Sequence, residues 1–245
     1  MGKTYFFSYG DDNYKQSKLR LEQEAKNFGF DHIAIYGPED LDPDFVEKTE
    51  PYIKAPRGAG FWLWKSHFLT STFDAMKEGD YCVYVDAGCT VNPYAKDTFK
   101  SYLEMLDNDD SGMIRFSYEK TPEEMFTNEK VFEYFNKKED KEFRNSDILM
   151  NGIIVFKKNE NSQKYVDEYY RITLDAPEIF SDKYNHEHCE RYKDHRHDQS
   201  VSSCLVKING KFIQLDDHSY APDMQGWMEL IHKMKIPFLA TRIRG

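Results

Sequence analysis

The sequence predicts one α/β domain with a mainly parallel central sheet flanked by helices. Three observations carry this. The first 37 residues read strand, helix, strand, the pattern of a parallel sheet with a crossover helix. A buried strand, Tyr81–Val85, then ends in an aspartate, at the edge where open α/β sheets bind their ligands. No internal repeat and no Pro/Gly/Ser-rich linker divides the 245 residues, a length that one domain can carry.

Taken in order, TYFFSY (Thr4–Tyr9) reads as a buried first strand, followed by the polar loop GDDNYKQ. Leu19, Leu21, Ala25 and Phe28 then recur at helical spacing up to a stop at Gly29. HIAIYG (His32–Gly37) is a second strand. An acidic and then glycine-rich connection leads to GFWLWKS (Gly60–Ser66), beyond which Leu69, Phe73 and Met76 predict a helix from Lys65 to about Glu78. GMIRFSY reads as a strand and PEEMFTNEKVFEYFNKKED as helix with loop. NGIIVFKKN (Asn151–Asn159) is a strand leading into the helical YVDEYYRITLDAP. The polar run SDKYNHEHCERYKDHRHDQ has no clear period and reads as a solvent-exposed loop. DQSVSSCLVKI opens a helix with Asp198 at or near its N-cap. KFIQLDD is a last strand, and the remainder carries Trp227, His232 and a basic TRIRG.

Composition excludes several classes. Hydrophobic residues make up 40 % and aromatics 16 %, enough for a sizeable core, yet no run of 18 apolar residues predicts a membrane span. MGKTYFFSYGDD turns polar too soon for a signal peptide, and Phe6 stands where Gly2 acylation wants Ser or Thr. Cys82, Cys89, Cys189 and Cys204 are scattered without a CxxC pair, which fits unpaired thiols in a reducing compartment. A formal net charge of −10 argues against a nucleic-acid partner, though not against a small phosphorylated ligand.

The groups able to do chemistry cluster in a few places. Asp86, at the end of its strand and followed by Ala87 and Gly88, suits Mg²⁺ or Mn²⁺ bridging phosphate oxygens; the alternative is a turn-forming aspartate. Asp198 precedes an apolar run, as a plain helix cap or as a catalytic carboxylate. His195 and His197 are two residues apart, without the HExxH or CxxC company of a zinc site. Arg57 and Lys65 flank the opening aromatic stretch, where Gly58 and Gly60 allow close backbone approach, so they could neutralise a pyrophosphate. PRGAGFW is neither a Walker A nor a GxGxxG motif, and Arg57 could instead pair with the acidic 39–50 segment. Trp62 and Trp64 share a side if extended and diverge if helical. Their expected role is to fix the helix start, so Trp64→Phe is expected to cost stability before affinity, and Lys65→Met the reverse. Tyr9 is placed to stack on a base, and Asn151 and Gly152 to meet a sugar hydroxyl or merely complete a turn.

RGAGFWLWKS (Arg57–Ser66), GDYCVYVDAGC (Gly79–Cys89), MNGIIVFKKN (Met150–Asn159) and HRHDQSVSS (His195–Ser203) follow one another behind TYFFSYGDDNY. In that order and spacing, over roughly residues 1–215, the sequence resembles small GT-A type glycosyltransferases of glycan synthesis in bacteria and large DNA viruses. The resemblance implies a UDP- or GDP-sugar donor, a carbohydrate or glycan acceptor and a Mn²⁺ or Mg²⁺ cofactor. Residues 1–90 would be the donor half and 91–245 the acceptor and catalytic half. Donor contacts fall to Tyr9, Arg57, Lys65, Asp86, Ala87 and Gly88, and acceptor or sugar contacts to Asn151, Gly152, His197 and Gln199. Asp86 matches the first carboxylate of the family's DxD motif, or its only one, because Gly88 replaces the second acid. His218, Asp216 or Asp217 could complete the metal shell, or phosphate oxygens and water could, or the enzyme could be metal-independent. Asp198 is the candidate base of an inverting displacement; in a retaining enzyme it would sit beside the reacting sugar. The resemblance implies a cytoplasmic location, that of the host if viral, or a peripheral one at a membrane. It sets no oligomeric state. The competing functions are a metal-dependent nucleotidyl or phosphotransferase and a non-catalytic carbohydrate-binding protein with aromatic platforms.

Overall fold

The computed structural model describes residues 2–186 and 188–244. In chain order the elements are β1 (Thr4–Tyr9), α1 (Lys15–Phe28), β2 (His32–Tyr36), α2 (Pro43–Thr49), the single turn α3 (Gly58–Phe61), α4 (Trp64–Ala75), β3 (Tyr81–Val85) and β4 (Thr90–Val91). There follow α5 (Lys96–Asp107), β5 (Met113–Pro122), α6 (Glu123–Phe126), α7 (Glu129–Tyr134), α8 (Lys141–Asn145), β6 (Asp147–Leu149), β7 (Ile153–Lys157) and α9 (Glu160–Asp175). The last are α10 (Asp198–Asn209), β8 (Ile213–Asp216), α11 (Met224–Met228) and β9 (Phe238–Leu239).

A seven-stranded sheet has the order β2-β1-β3-β7-β5-β6, with β8 beside β5. It is mixed, and this corrects the expectation of a mainly parallel sheet. The pairs β1–β2, β1–β3 and β5–β8 are parallel, whereas β3–β7, β5–β7 and β5–β6 are antiparallel. The physical reason is that β7 is a central strand buried on both faces, so it reads as an apolar run whichever way it points. Its reversal matters for the site. Ile153 at the amino end of β7 pairs with Val85 at the carboxyl end of β3. The carboxyl ends of β1, β2, β3, β5 and β8 therefore share one sheet edge with Asn151 and Gly152.

The sheet buries both faces, as the alternation of β1 requires. Phe7 packs into a cluster with Phe68, Leu69 and Phe73 of α4 and with residues of α9 and α10. Its neighbour Phe6 packs on the opposite face with Leu21, Ala25 and Phe28 of α1 and with α5. Full burial of each such side chain contributes about 1.5–3 kcal/mol. Helix α1 stops where expected: Gly29 takes φ +102° and returns its N–H to Ala25. Helix α4 stops earlier than its apolar pattern suggests. Met76 is extended, and Asp80 accepts the backbone N–H groups of Lys77 and Lys3 in the turn before β3. All four cysteines are unpaired, and no helix among the described residues is long and apolar enough to cross a membrane.

Candidate active site

Asp86 is the first residue beyond β3, with its side chain 46 % exposed. Tyr84 lies two residues earlier on the same face and donates its hydroxyl to Asp86 Oδ1 at 2.5 Å. Burial, and then the Asp86 charge, push the Tyr84 phenol well above its ordinary pKa, so it stays a donor. Asp86 Oδ2 lies over Gly152, where an added Cβ would stand 2.9 Å from it. Gly152 thus lets the Asp86 carboxylate approach closely; no positive φ calls for a glycine there. The Asp86 N–H donates to Gly152 O at 2.8 Å and ties the two strand ends together. Arg20 holds the following loop through Cys89 O at 2.8 Å, with Ala87 O at 3.5 Å.

Behind this loop lies a buried charge cluster. Lys65, 3 % exposed, donates to Asp198 Oδ2 at 2.5 Å and to Asn151 O at 2.8 Å, and stands 3.8 Å from Asp86 Oδ1. One ammonium thereby links two aspartates from distant parts of the chain. Asp198 is the first residue of α10, where the helix dipole favours a carboxylate. Asn151 Nδ2 also donates to Asp198 Oδ2, at 2.5 Å. The amide is held in that orientation because its Oδ1 accepts from Arg115 and Ser202 at 3.0 and 2.9 Å. Burial pushes the Asp198 carboxyl above its ordinary pKa and Asp86 adds to this, while Lys65 and Asn151 pull it back. Both of these bonds converge on Oδ2; Oδ1 accepts no hydrogen bond among the described residues.

A second cluster sits around His197. The residue has φ +54° and is 2 % exposed. Its Nδ1–H donates to Phe180 O at 2.8 Å, which leaves Nε2 to accept from Arg57 Nε at 2.6 Å. Burial lowers the His197 pKa and keeps the ring neutral, in agreement with this pattern. Trp62 stacks on it with centroids 5.3 Å apart. The Arg57 side chain is half exposed, and its neighbouring carboxylates are Asp194 at 3.5 Å and Asp182 at 4.0 Å, not those of the 39–50 segment. His195 is fully buried, and burial lowers its pKa to about 3. The expected exposed loop is therefore buried at both histidines.

A left-handed turn separates the two clusters. Gly58, Ala59, Gly60, Phe61 and Trp62 all have positive φ. Consequently neither the strand nor the helix alternative describes Trp62 and Trp64. Trp64 is 4 % exposed, stacks on Tyr9 at 3.9 Å and donates Nε1–H to Gly58 O at 3.0 Å. Trp62 faces His197 instead.

The remaining candidates separate. Tyr9 is core, its ring stacked on Trp64 and Phe68. Gln199 is half-buried, its amide 3.6 Å from the Met150 sulfur. His218 is exposed just past β8 and lines a narrow crevice with Asp216, Asp217, Tyr102 and Phe238. Among the described residues, no three His, Cys, Asp or Glu side chains form a group that could hold a metal ion. Sequence reasoning missed Tyr84, Arg115 and Arg20. Two signals were present: an i, i+2 partner for Asp86, and an arginine interrupting the apolar strand GMIRFSY.

No family model and no curated protein matches the sequence. Solved structures do match the backbone. A glycosyltransferase involved in the glycosylation of the major capsid of PBCV-1 gives a TM-score of 0.50 at 12 % identity, over 97 % of this chain and 92 % of its own. The apo WbbM bifunctional glycosyltransferase gives 0.51 at 11 % identity, over 97 % of this chain and 45 % of that longer one. Likeness at such identity is one of architecture, and function rests on the site. The chain has an α/β fold that is broadly GT-A-like, with a mixed central sheet between helices.

Proposed function

We propose that this protein is a glycosyltransferase moving a sugar from a nucleoside-diphosphate sugar, UDP- or GDP-linked, to a hydroxyl of a carbohydrate or glycan acceptor. The observation that carries the proposal is one buried ammonium linking a half-exposed and a buried carboxylate at the ligand edge of the sheet. Residues from both proposed halves, 1–90 and 91–245, meet there.

In the inverting form of the reaction the acceptor oxygen bonds to the anomeric carbon. The bond from that carbon to the diphosphate breaks, and the nucleoside diphosphate leaves with the electron pair. Asp198 Oδ1 takes the acceptor proton, while Lys65 and Asn151 keep the carboxylate ionised and aimed. Asp86, Ala87 and Gly88 face the donor and Asn151, Gly152, His197 and Gln199 the sugar, with the Arg57 guanidinium bonded to the neutral His197 ring. A resident divalent ion does not fit one carboxylate. Asp86 Oδ2 would hold an ion that arrives on the diphosphate, with His218 as second candidate ligand. Such an ion, Mn²⁺ or Mg²⁺, would supply charge neutralisation to the leaving diphosphate.

Titration of the protein with a panel of nucleoside diphosphates, with and without Mn²⁺, tests the proposal; failure of all of them to bind overturns it. Product analysis with activated sugars then separates sugar transfer, which releases a nucleoside diphosphate, from nucleotidyl or phosphotransfer, which releases pyrophosphate or phosphate. Glycan affinity that survives Asp86→Ala, without nucleotide binding, marks a carbohydrate-binding protein.

A further inference from the structure

The two cations that sequence places on the diphosphate are both engaged elsewhere: Lys65 by Asp198, and Arg57 by His197 and two carboxylates. Another basic segment lies against the donor loop. Beyond β9 the chain crosses Gly88, whose carbonyl accepts from Thr241 Oγ1 at 2.9 Å and from the Ile243 N–H at 3.0 Å. Thr241 Oγ1 also meets Thr90 Oγ1 at 2.8 Å. Farther along, Ser17 Oγ at the start of α1 donates to Ile243 O at 2.8 Å, and Arg244 lies over the Tyr14 ring. The segment thus straps the loop after β1 to the loop after β3. These strands are adjacent and parallel, so their carboxyl ends flank the crevice where such sheets bind ligands.

Three features make the strap more than packing. Arg242 and Arg244 are exposed; the Arg242 guanidinium lies over the Tyr220 ring, 5.4 Å from its centroid, and neither arginine has a carboxylate within ion-pair distance among the described residues, in a chain with 43 acidic side chains. Arg20, Arg57, Arg144, Arg171 and Arg191 all have one, whereas Arg115 is held by Ser202, Met150 O and Asn151 and the exposed Arg196 lies over the Phe126 ring. Secondly, Arg242 holds φ +55°, a backbone state a side chain adopts only under strain, and such strain gathers at ligand clamps. Thirdly, the strap packs closely on Gly88: a Cβ there would stand 3.3 Å from Arg242 Cα. A guanidinium suits phosphate oxygens, which it binds through two parallel N–H groups.

We propose that Thr241–Arg244 forms the outer wall of the donor site and that Arg242 binds the diphosphate, with Arg244 as the outer cation. This rests on the sugar-transfer proposal for the identity of the donor. Nucleoside diphosphate and free pyrophosphate share the recognised group, so both are used as probes.

Calorimetric titration of the full chain with UDP, GDP and pyrophosphate, with and without Mn²⁺, is compared among wild type, Arg242→Gly and Arg242→Lys. Glycine accepts the left-handed backbone without strain, so Arg242→Gly removes the charge and keeps the strap. The expected result is a loss of about tenfold or more in affinity for nucleotide and pyrophosphate alike. Arg242→Lys keeps part of the affinity, and the melting temperature of Arg242→Gly is unchanged or raised. Wild-type affinity in Arg242→Gly overturns the strap and leaves the sugar-transfer proposal standing. Nucleotide affinity lost while pyrophosphate affinity persists puts Arg242 elsewhere on the ligand and overturns the assignment. Wild type that binds no nucleotide overturns the sugar-transfer proposal and this inference with it.

Discussion

Arg57 and Lys65 leave the same ten-residue stretch and end in opposite surroundings. The Lys65 side chain is 4 % exposed and meets two aspartates, whereas that of Arg57 is 49 % exposed and is steadied by a neutral histidine. The left-handed turn between them is what parts them. It sends the first cation out along His197 and the second into the sheet edge. Nearness in sequence therefore says little about a shared role. One cation compensates buried charge, and the other is held at the half-exposed rim by His197, Asp194 and Asp182.

Lys65→Met is the strongest way to break this contrast. It leaves Asp198 buried without its ammonium, so about 3–5 kcal/mol of stability is lost in urea denaturation. The double variant Lys65→Met/Asp198→Asn recovers much of that, because no uncompensated charge remains. Equal losses in the single and double variants would show that Lys65 matters through packing and not through Asp198. The sequence alone suggests that this substitution costs affinity first; burial puts stability first.

Next in size is the turn itself. Gly60 has φ +98°, and a Cβ there would stand 2.4 Å from Ile53 O. Gly60→Ala should cost about 2 kcal/mol or more, from strain and displaced backbone together. Trp64→Phe comes third, at about 1–2 kcal/mol, through the lost bond to Gly58 O and weaker stacking on Tyr9. A melting temperature equal to that of wild type would mean the turn holds without its tryptophan.

Much of the frame was legible. β1, α1, β2 and β3 follow from apolar periods and from Gly29, since local pattern alone decides them. Direction was not legible for β7, because a strand buried on both faces carries no sign of its polarity. Residues 58–62 were illegible for another reason. Ala59, Phe61 and Trp62 disfavour the left-handed region, and tertiary fit holds them there, Trp64 against Gly58 and Tyr9 and Trp62 against His197. At the site, Asp86, Asn151, Gly152 and Asp198 were legible as strand or helix ends. Arg115 and Tyr84 belong to the interior of strands, where a polar side chain gains meaning only from what the fold places opposite it.

Arg57→Met gives the smallest effect and the sharpest view of the outer cluster. An ion pair this exposed contributes at most about 1 kcal/mol, so stability at pH 8 should barely move. The change should show in acid. Burial holds His197 below its ordinary pKa, so the folded protein binds fewer protons than the unfolded chain. Its contribution is complete above about pH 6.5 and is lost as the pH falls, by up to about 1.4 kcal/mol per pH unit. Arg57 adds to the depression, and Asp182 Oδ1, 3.8 Å from Nε2, opposes it. Without Arg57 the ring protonates more readily and can pair with Asp182, so the acid loss becomes shallower. Urea denaturation at pH 8 and pH 5 should then show the variant gaining on wild type as the pH falls. Parallel curves would mean that burial alone keeps His197 neutral and that Arg57 takes its direction from Asp194.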